Sequence, residues 1–235
     1  MKPFTRLGDA RTPDGSLLEL FSHDGSYVIR ANGIELMTSR KHLSEDKLAE
    51  VACAPFKDRP LARVLVGGLG LGFTLRAALG ELRADAEVVV AELMAEVIAW
   101  NVNPEWNISV DAMRDPRVRM EHEDVYKVLK ANPGGFDALM LDTDNGPDGL
   151  LMSENAALYQ KRGIEITMAA VRPGGLIAYW SVGEDRSFAG ALQRAGLSVE
   201  AIRVRAHETA GPIHWLYVAR RKQEARVHRS GSATK

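Results

Sequence analysis

Short apolar runs alternate with helical segments through most of this 235-residue chain, and this alternation restricts the possible fold more than any other feature of the sequence. The first run, RVLVG, spans residues 63–67, and the next, EVVVAE, spans 87–92. Further strands are predicted at 118–122, 136–142, 175–181, 197–204 and 213–220, and helices near 72–82, 93–101, 124–131, 155–171 and 185–195. This pattern is typical of a parallel sheet built from βαβ units.

The last two predicted strands have no helix between them. Only the turn-forming region around Gly211 and Pro212 separates them, so we expect a C-terminal antiparallel hairpin. The predicted fold class is a seven-stranded, mostly parallel, Rossmann-like α/β sheet.

The segment before this pattern has strand runs separated by turns. Asn32-Gly33 between YVIR and IELM indicates a β-hairpin, and Ser44 is a plausible N-cap for a helix that Pro55 ends. The predicted domains are a β-hairpin and helix appendage at 1–55, a nucleoside-binding α/β domain at 56–219, and a basic, disordered tail at 220–235.

Composition excludes several classes of protein. The chain is 46% hydrophobic and 26% charged, but no apolar stretch approaches the roughly 18 residues of a membrane span, and the start has no signal-peptide pattern. Its one cysteine, Cys53, cannot form an internal disulfide, and no Cys/His spacing fits a structural metal. We therefore expect a cytoplasmic protein without a metal.

Charge is distributed unevenly. Residues 220–235 contain six Lys or Arg against Glu224, and because the whole chain has a net charge of −1, residues 1–219 carry −6. An acidic folded part argues against nucleic-acid binding.

A glycine-rich turn carries the first chemical signal. Gly67-Gly68-Leu69-Gly70-Leu71-Gly72 lies directly between the first βαβ strand and its helix, where glycines let the backbone approach a ligand at the helix N-terminus. Glu92 ends the next strand 20 residues later, where a carboxylate can accept both hydroxyls of a ribose. The order of these signals predicts a nucleoside site.

The residues that follow the turn argue against two classes of nucleotide-binding motif. Phe73 stands where a dinucleotide-binding motif has its third glycine, and no Gly-Lys-Ser/Thr of a P-loop follows. After the third strand, Asp124 could cap the next helix or accept a hydrogen bond from a purine amine, and these two roles are compatible.

At these residues the sequence resembles the class I S-adenosylmethionine-dependent methyltransferase superfamily and, within it, the spermidine synthase (polyamine aminopropyltransferase) family. The resemblance covers about residues 27–219 and is carried by VLVGGLGLGFTLRA, AELMAEVI, DPRVRMEHEDVYKVL, FDALMLDTDNGP, VRPGGLIAYWS and GPIHWLYVA. It implies a sheet of the methyltransferase type, a homodimer, S-adenosylmethionine or its decarboxylated form as donor, no metal, and a small-molecule acceptor such as a polyamine.

The resemblance also implies roles for individual residues. Glu92 matches the acid that holds the ribose, Asp124 the acid that meets the adenine amine, and Val125 the backbone N–H beside the ring; the donor site as a whole comprises Gly68, Gly70, Gly72, Glu92, Leu93, Asp124 and Val125. Asp142 matches the proposed base for the attacking amine, although an aspartate at a strand end can also simply cap a turn.

The acceptor pocket is predicted to include Asp144, Tyr159 and Trp180. For the two aromatic side chains, packing in the core or at its rim is the alternative.

Three departures from the family leave the type of reaction open. The aspartate that contacts the donor's aminopropyl amine is replaced by Leu71, and the Tyr-His or Tyr-Gln pair falls near Glu45 and Asp46. The loop after the fourth strand is also shorter. Three functions follow: aminopropyl transfer to an amine, methyl transfer to a small molecule, which Leu71 favours, or nucleoside binding by a regulatory protein without catalysis.

Overall fold

The N-terminal part of the chain forms a four-stranded antiparallel sheet. The computed structural model describes residues 3–142, 156–207 and 211–221. The strands of this sheet follow one another in chain order: β1 (Thr5–Arg11), β2 (Leu17–His23), β3 (Ser26–Ala31) and β4 (Ile34–Thr38). The predicted turn at Asn32-Gly33 joins β3 and β4, and both residues have positive φ, 48° and 81°, as a tight hairpin turn requires. The expected hairpin is therefore part of a larger sheet.

The second sheet has seven strands, as predicted. They are β5 (Arg63–Gly67), β6 (Glu87–Glu92), β7 (Val118–His122), β8 (Phe136–Leu141), β9 (Val171–Ser181), β10 (Leu197–Arg205) and β11 (Ile213–Arg221). Their order is β10-β11-β9-β8-β5-β6-β7, with β5 to β9 parallel and β11 antiparallel to both of its neighbours. The predicted fold class, including the C-terminal hairpin, is confirmed.

The helices are α1 (Leu43–Cys53), α2 (Phe73–Glu81), α3 (Ala95–Val102), α4 (Val110–Met113), α5 (Val125–Ala131), α6 (Ala156–Tyr159), α7 (Lys161–Ala170) and α8 (Arg186–Arg194). The helix predicted at 155–171 is divided into α6 and α7, because the backbone at Gln160 is extended. Among the described helices, none has the length and apolar character needed to cross a membrane.

The start of α1 differs from the prediction. His42, not Ser44, occupies the N-cap position, and Ser44 lies inside the first turn. The Ser44 hydroxyl donates to the Glu45 carboxylate and lies 2.9 Å from Nδ1 of His214. The serine therefore connects the helix to β11 instead of capping it.

Strand β8 places the candidate site at the middle of the large sheet. All six of its residues are buried, and alternate side chains enter two core clusters, one on each face of the sheet: Ala138 and Met140 on one face, Leu139 and Leu141 on the other. Asp142 follows at the carboxyl end, beside the end of β5. Open α/β sheets bind their ligands at this kind of edge, where neighbouring strands lead away in opposite directions.

Candidate active site

The glycine turn adopts a backbone that side chains disfavour. Gly68, Gly70 and Gly72 have φ values of 93°, 51° and 76°. A Cβ atom at Gly72 would also lie 2.6 Å from Cβ of Ser109. Asn101 holds the turn from the side by donating its Nδ2–H to the carbonyl of Gly70 at 2.8 Å. These positions require glycine for the turn itself.

Glu92 anchors the same turn. The side chain is 9% exposed; its Oε2 accepts from the Leu69 N–H at 2.9 Å and its Oε1 accepts from the Met94 N–H at 2.8 Å. Burial raises the pKa of this carboxyl group, and the backbone donors oppose that shift. Each carboxylate oxygen can accept more than one hydrogen bond, so contacts with ribose hydroxyls remain compatible with this geometry. The ribose role stays a prediction.

We expect Glu92→Ala to weaken binding of methylthioadenosine by about 1.5 to 3 kcal/mol, because hydrogen bonds to a charged acceptor are lost. The variant should also melt at a lower temperature, since the turn loses its anchor at Leu69 and Met94. Titration calorimetry measures the first effect, with Glu96→Ala on the exposed first turn of α3 as the control. Unchanged affinity would show that the ribose assignment is wrong.

The other predicted donor residues lie at the carboxyl ends of β6 and β7. Asp124 caps α5, with its Oδ1 accepting from the Tyr126 N–H at 2.8 Å. Val125 is buried against Gly67, where a Cβ would lie 2.8 Å from the valine methyl group. Leu93 directly follows β6. The structure brings these residues to one edge of the sheet, and their contacts with a donor stay predictions.

Asp142 connects the glycine turn to α2. Its N–H donates to the carbonyl of Gly67 at 2.9 Å, and its Oδ2 accepts from the Thr74 hydroxyl at 2.8 Å. Burial raises the pKa of the carboxyl group to about 6, although the hydrogen bond from Thr74 lowers it. A carboxylate with this pKa can take a proton near neutral pH.

Asp142 opens onto a cavity of about 240 Å³ between the two sheets and α1. Glu45 lines the same cavity, as do Leu71 from the glycine turn and Trp180 and His214 from the large sheet. The indole Nε1 of Trp180 is buried and has no hydrogen-bond partner among the described residues. The cavity therefore combines a carboxylate pair with an aromatic wall.

Two titratable groups in the cavity have shifted pKa values. Burial, followed by the charge of Asp142, raises the pKa of Glu45 to about 8, while the hydrogen bond from Ser44 opposes the shift. Burial lowers the pKa of His214 to about 4, so the imidazole is neutral at pH 7. The neutral ring does not supply a counter-charge to the carboxylates.

We expect the unliganded protein to lose stability as the pH rises from about 5 to about 8. The pKa of Glu45 is higher in the folded than in the unfolded state, so the folded state binds the extra proton and its advantage disappears as that proton leaves. Melting temperatures across this pH range test the expectation, and Glu45→Gln should remove part of the decrease. The same slope in both proteins would contradict it.

Other charged groups around Glu45 also affect how the stability depends on pH. Asp142 and Asp46 both raise the pKa of Glu45, and Asp46 is itself 2.7 Å from Nδ1 of His42. Lys41 and Glu35 also line the cavity and pair with each other at 3.6 Å.

Not every predicted acceptor residue reaches this cavity. Trp180 lines it, but Tyr159 is 8% exposed and packs against Tyr179 and Phe188 in the core cluster on the α5, α7 and α8 side of the sheet. The structure thus shows the packing arrangement that was the alternative for Tyr159. Asp144 lies outside the described residues. Leu71 lines the cavity with only 2% of its surface exposed.

Three residues of the site were not predicted as site residues: Glu45, Thr74 and His214, although the resemblance places a residue pair of the family near Glu45. Thr74 could have been found, because it lies in the first turn of the helix that follows the glycine motif. Glu45 and His214 lie on elements far from Asp142 in the chain, and no local spacing marks them. Within residues 3–142, 156–207 and 211–221, no cluster of His, Cys, Asp and Glu is arranged to hold a metal ion.

No family model matches the sequence. The chain is 30% identical over 152 residues to a polyamine aminopropyltransferase from Leptospira biflexa. The aligned region covers 63% of this chain and 50% of that protein. It is also 30% identical over 125 residues to polyamine aminopropyltransferase 2 from Pseudomonas aeruginosa, covering 52% of this chain and 33% of that protein. The match thus spans half or less of the length of these relatives.

Solved structures extend the similarity over nearly the whole chain. Spermidine synthase from Thermotoga maritima superposes with a TM-score of 0.69 at 18% identity, covering 92% of this chain and 72% of that one. A spermidine synthase in complex with the transition-state analogue AdoDATO gives the same TM-score at 16% identity, covering 92% and 71%. The chain is therefore similar in sequence, over part of its length, to the polyamine aminopropyltransferases and similar in fold, over nearly all of it, to the spermidine synthases, which confirms the resemblance.

Proposed function

We propose that the protein is a transferase that moves an aminopropyl group from a decarboxylated S-adenosylmethionine-type donor to the nitrogen of an amine. The observation that carries the proposal is the position of Asp142, a carboxylate with a raised pKa between the glycine turn and the cavity. The names of the relatives support the same reaction.

The reaction requires the protein to position the two reactants and to remove a proton from the acceptor. The lone pair of the acceptor nitrogen forms a bond to the aminopropyl carbon that is attached to sulfur. The bond between that carbon and sulfur breaks, and its electrons remain on sulfur, which becomes a thioether. Because a sulfonium is already a leaving group, the protein must hold the two reactants in line and keep the amine unprotonated.

Asp142 can perform the second task. Thr74 donates to Oδ2 and fixes the carboxylate, and the other oxygen can accept the proton of the attacking nitrogen. The hydrogen bond from the Asp142 N–H to Gly67 fixes its backbone relative to the glycine turn. The base and the proposed donor site are therefore positioned by the same short segment.

The family resemblance is the basis for the proposed assembly. We propose a homodimer acting in the cytoplasm on a polyamine or a related small amine. Sedimentation equilibrium tests the dimer, for which a single species of 25.7 kDa would be the contrary result.

Ligand-dependent stability tests the donor class, because a ligand that binds only the folded state raises the melting temperature. The proposal predicts larger shifts with decarboxylated S-adenosylmethionine and methylthioadenosine than with S-adenosylmethionine. A preference for S-adenosylmethionine would favour methyl transfer instead. Absence of any shift would contradict both transferase functions.

A further inference from the structure

A second cavity, of about 620 Å³, lies in the groove between α7 and α8 and shares no residue with the candidate active site. We propose that this groove binds a small amphiphilic anion, a free molecule with one carboxylate or phosphate group on a hydrocarbon body. Its volume is within the range of roughly 300 to 1,000 Å³ that is usual for sites of small organic ligands. The proposed transferase function does not depend on such a site.

The basic end of the groove lies at the opposite edge of the large sheet from Asp142. Strand β11 is antiparallel to β9, so its carboxyl end at Arg221 lies at the amino end of the parallel strands, whereas Asp142 follows the carboxyl end of β8. Arg221 pairs with Leu197 at the start of β10, and Arg194 ends α8 three residues before that strand. The two arginines therefore lie at the same end of the groove.

The charges around the groove favour an anion. Three basic side chains and one acidic side chain line it, and the acidic one, Glu165, lies 4.0 Å from Lys161. In the described part of the chain, neither Arg194 nor Arg221 has a carboxylate within ion-pair distance. A guanidinium group presents several N–H donors in one plane and can hold a carboxylate or phosphate with two parallel hydrogen bonds. These two arginines are therefore the proposed contacts of the anionic group.

The middle of the groove is apolar. The residues that α7 contributes recur every three or four positions between 161 and 169, so they form one face of the helix, about 12 Å long. On this face Ile164 is buried and Met168 is half-buried, and the small side chains of Ala191 and Ala195 on α8 leave space opposite them. A hydrocarbon chain that extends from the arginines would cover this surface and remove it from water.

The same charges argue against the chain's own C-terminal residues as the occupant of the groove. Residues 222–235 contain four Lys or Arg against Glu224, so they would be repelled by the basic side chains that line it. A free anion has the opposite charge and gains from both the arginines and the apolar face.

Calorimetric titration with decanoate and with decyl phosphate, below the concentrations at which they form micelles, tests the site. We expect binding to the wild-type protein, and none of acetate, which lacks the hydrocarbon body. In the double variant Arg194→Gln/Arg221→Gln the affinity should fall about 10-fold or more, because charge-assisted hydrogen bonds are lost. Arg162→Gln is the matched control, since Arg162 is exposed on α7 and does not line the groove.

A further variant tests the apolar part of the groove while both arginines remain. Ala191→Trp places a large side chain in the space between α7 and α8, so we expect it to abolish binding of decanoate. A circular dichroism melting curve shows whether this variant is folded; if it is not, the arginine variant alone decides. Failure of both anions to bind the wild-type protein would overturn the inference. Undiminished binding to the arginine variant or to folded Ala191→Trp would also overturn it.

A second copy of the chain is the remaining occupant to be distinguished. Sedimentation equilibrium of the wild-type protein and of Arg194→Gln/Arg221→Gln should give the same molecular mass if the groove binds a small anion. A lower mass for the variant, together with no decanoate binding to the wild-type protein, would assign the groove to an interface between copies and overturn the inference.

Discussion

Asp142→Asn is expected to lower turnover by about 100-fold or more while the affinity for the donor stays nearly unchanged. The substitution preserves the size of the side chain and can preserve the hydrogen bond from Thr74, but it removes the carboxylate that we propose accepts the proton of the amine. Steady-state turnover with decarboxylated S-adenosylmethionine and a panel of amines, together with calorimetric donor affinity, measures the two effects.

A purely structural role for Asp142 predicts a different result. Asparagine forms strand-end turns about as well as aspartate does, so a cap would leave both turnover and melting temperature unchanged. Asp111→Asn, on the exposed side of α4, controls for the loss of one negative charge. An active and equally stable Asp142→Asn variant would leave the site without an identified base.

Asp137→Ala is expected to lower the free energy of unfolding by about 3 kcal/mol. Asp137 is fully buried near the start of β8, where Oδ2 accepts from the Arg63 N–H at 2.8 Å and from Nη1 of Arg172 at 2.9 Å. Arg59 forms an ion pair with Oδ1 at 3.2 Å. Alanine would leave the backbone donor and both guanidinium groups without this acceptor.

The expected loss is at the lower end for a broken buried ion pair, because Arg59 and Arg172 are partly exposed and water can solvate them. Urea unfolding followed by tryptophan fluorescence measures the change, and Asp58→Ala, at an exposed position, is the control. A loss below about 1 kcal/mol would mean that water replaces the carboxylate at little cost.

The large sheet could be predicted from sequence because its central strands are buried on both faces. Such strands are continuous apolar runs, and β5 and β6 begin and end at the predicted residues, as does the edge strand β7. Strand β9 instead begins at Val171, four residues before the prediction, because Arg172-Pro173-Gly174 has the composition of a loop. Strand β1, TRLGDAR, lacks a clear alternation of apolar and polar residues and was missed.

The residues of the site also differ in whether the sequence predicts them. The glycines, Glu92 and Asp142 lie at the ends of predicted strands, and the order of strands in a parallel sheet brings such residues to one edge. Glu45 and His214 enter the site through the packing of α1 and β11, which sequence spacing does not reveal. Tyr159 was predicted to line the acceptor pocket but packs in the core instead. The sequence does not decide between these positions, because a residue at the end of a helix can point into either core cluster.

The central claim is that the protein transfers an aminopropyl group, and identification of the products tests it most directly. The protein is incubated with decarboxylated S-adenosylmethionine and 1,4-diaminobutane, and the mixture is analysed by mass spectrometry. We predict methylthioadenosine and the aminopropylated diamine in equal amounts. Formation of S-adenosylhomocysteine from S-adenosylmethionine and a methylated acceptor, with no aminopropylated product, would contradict the account.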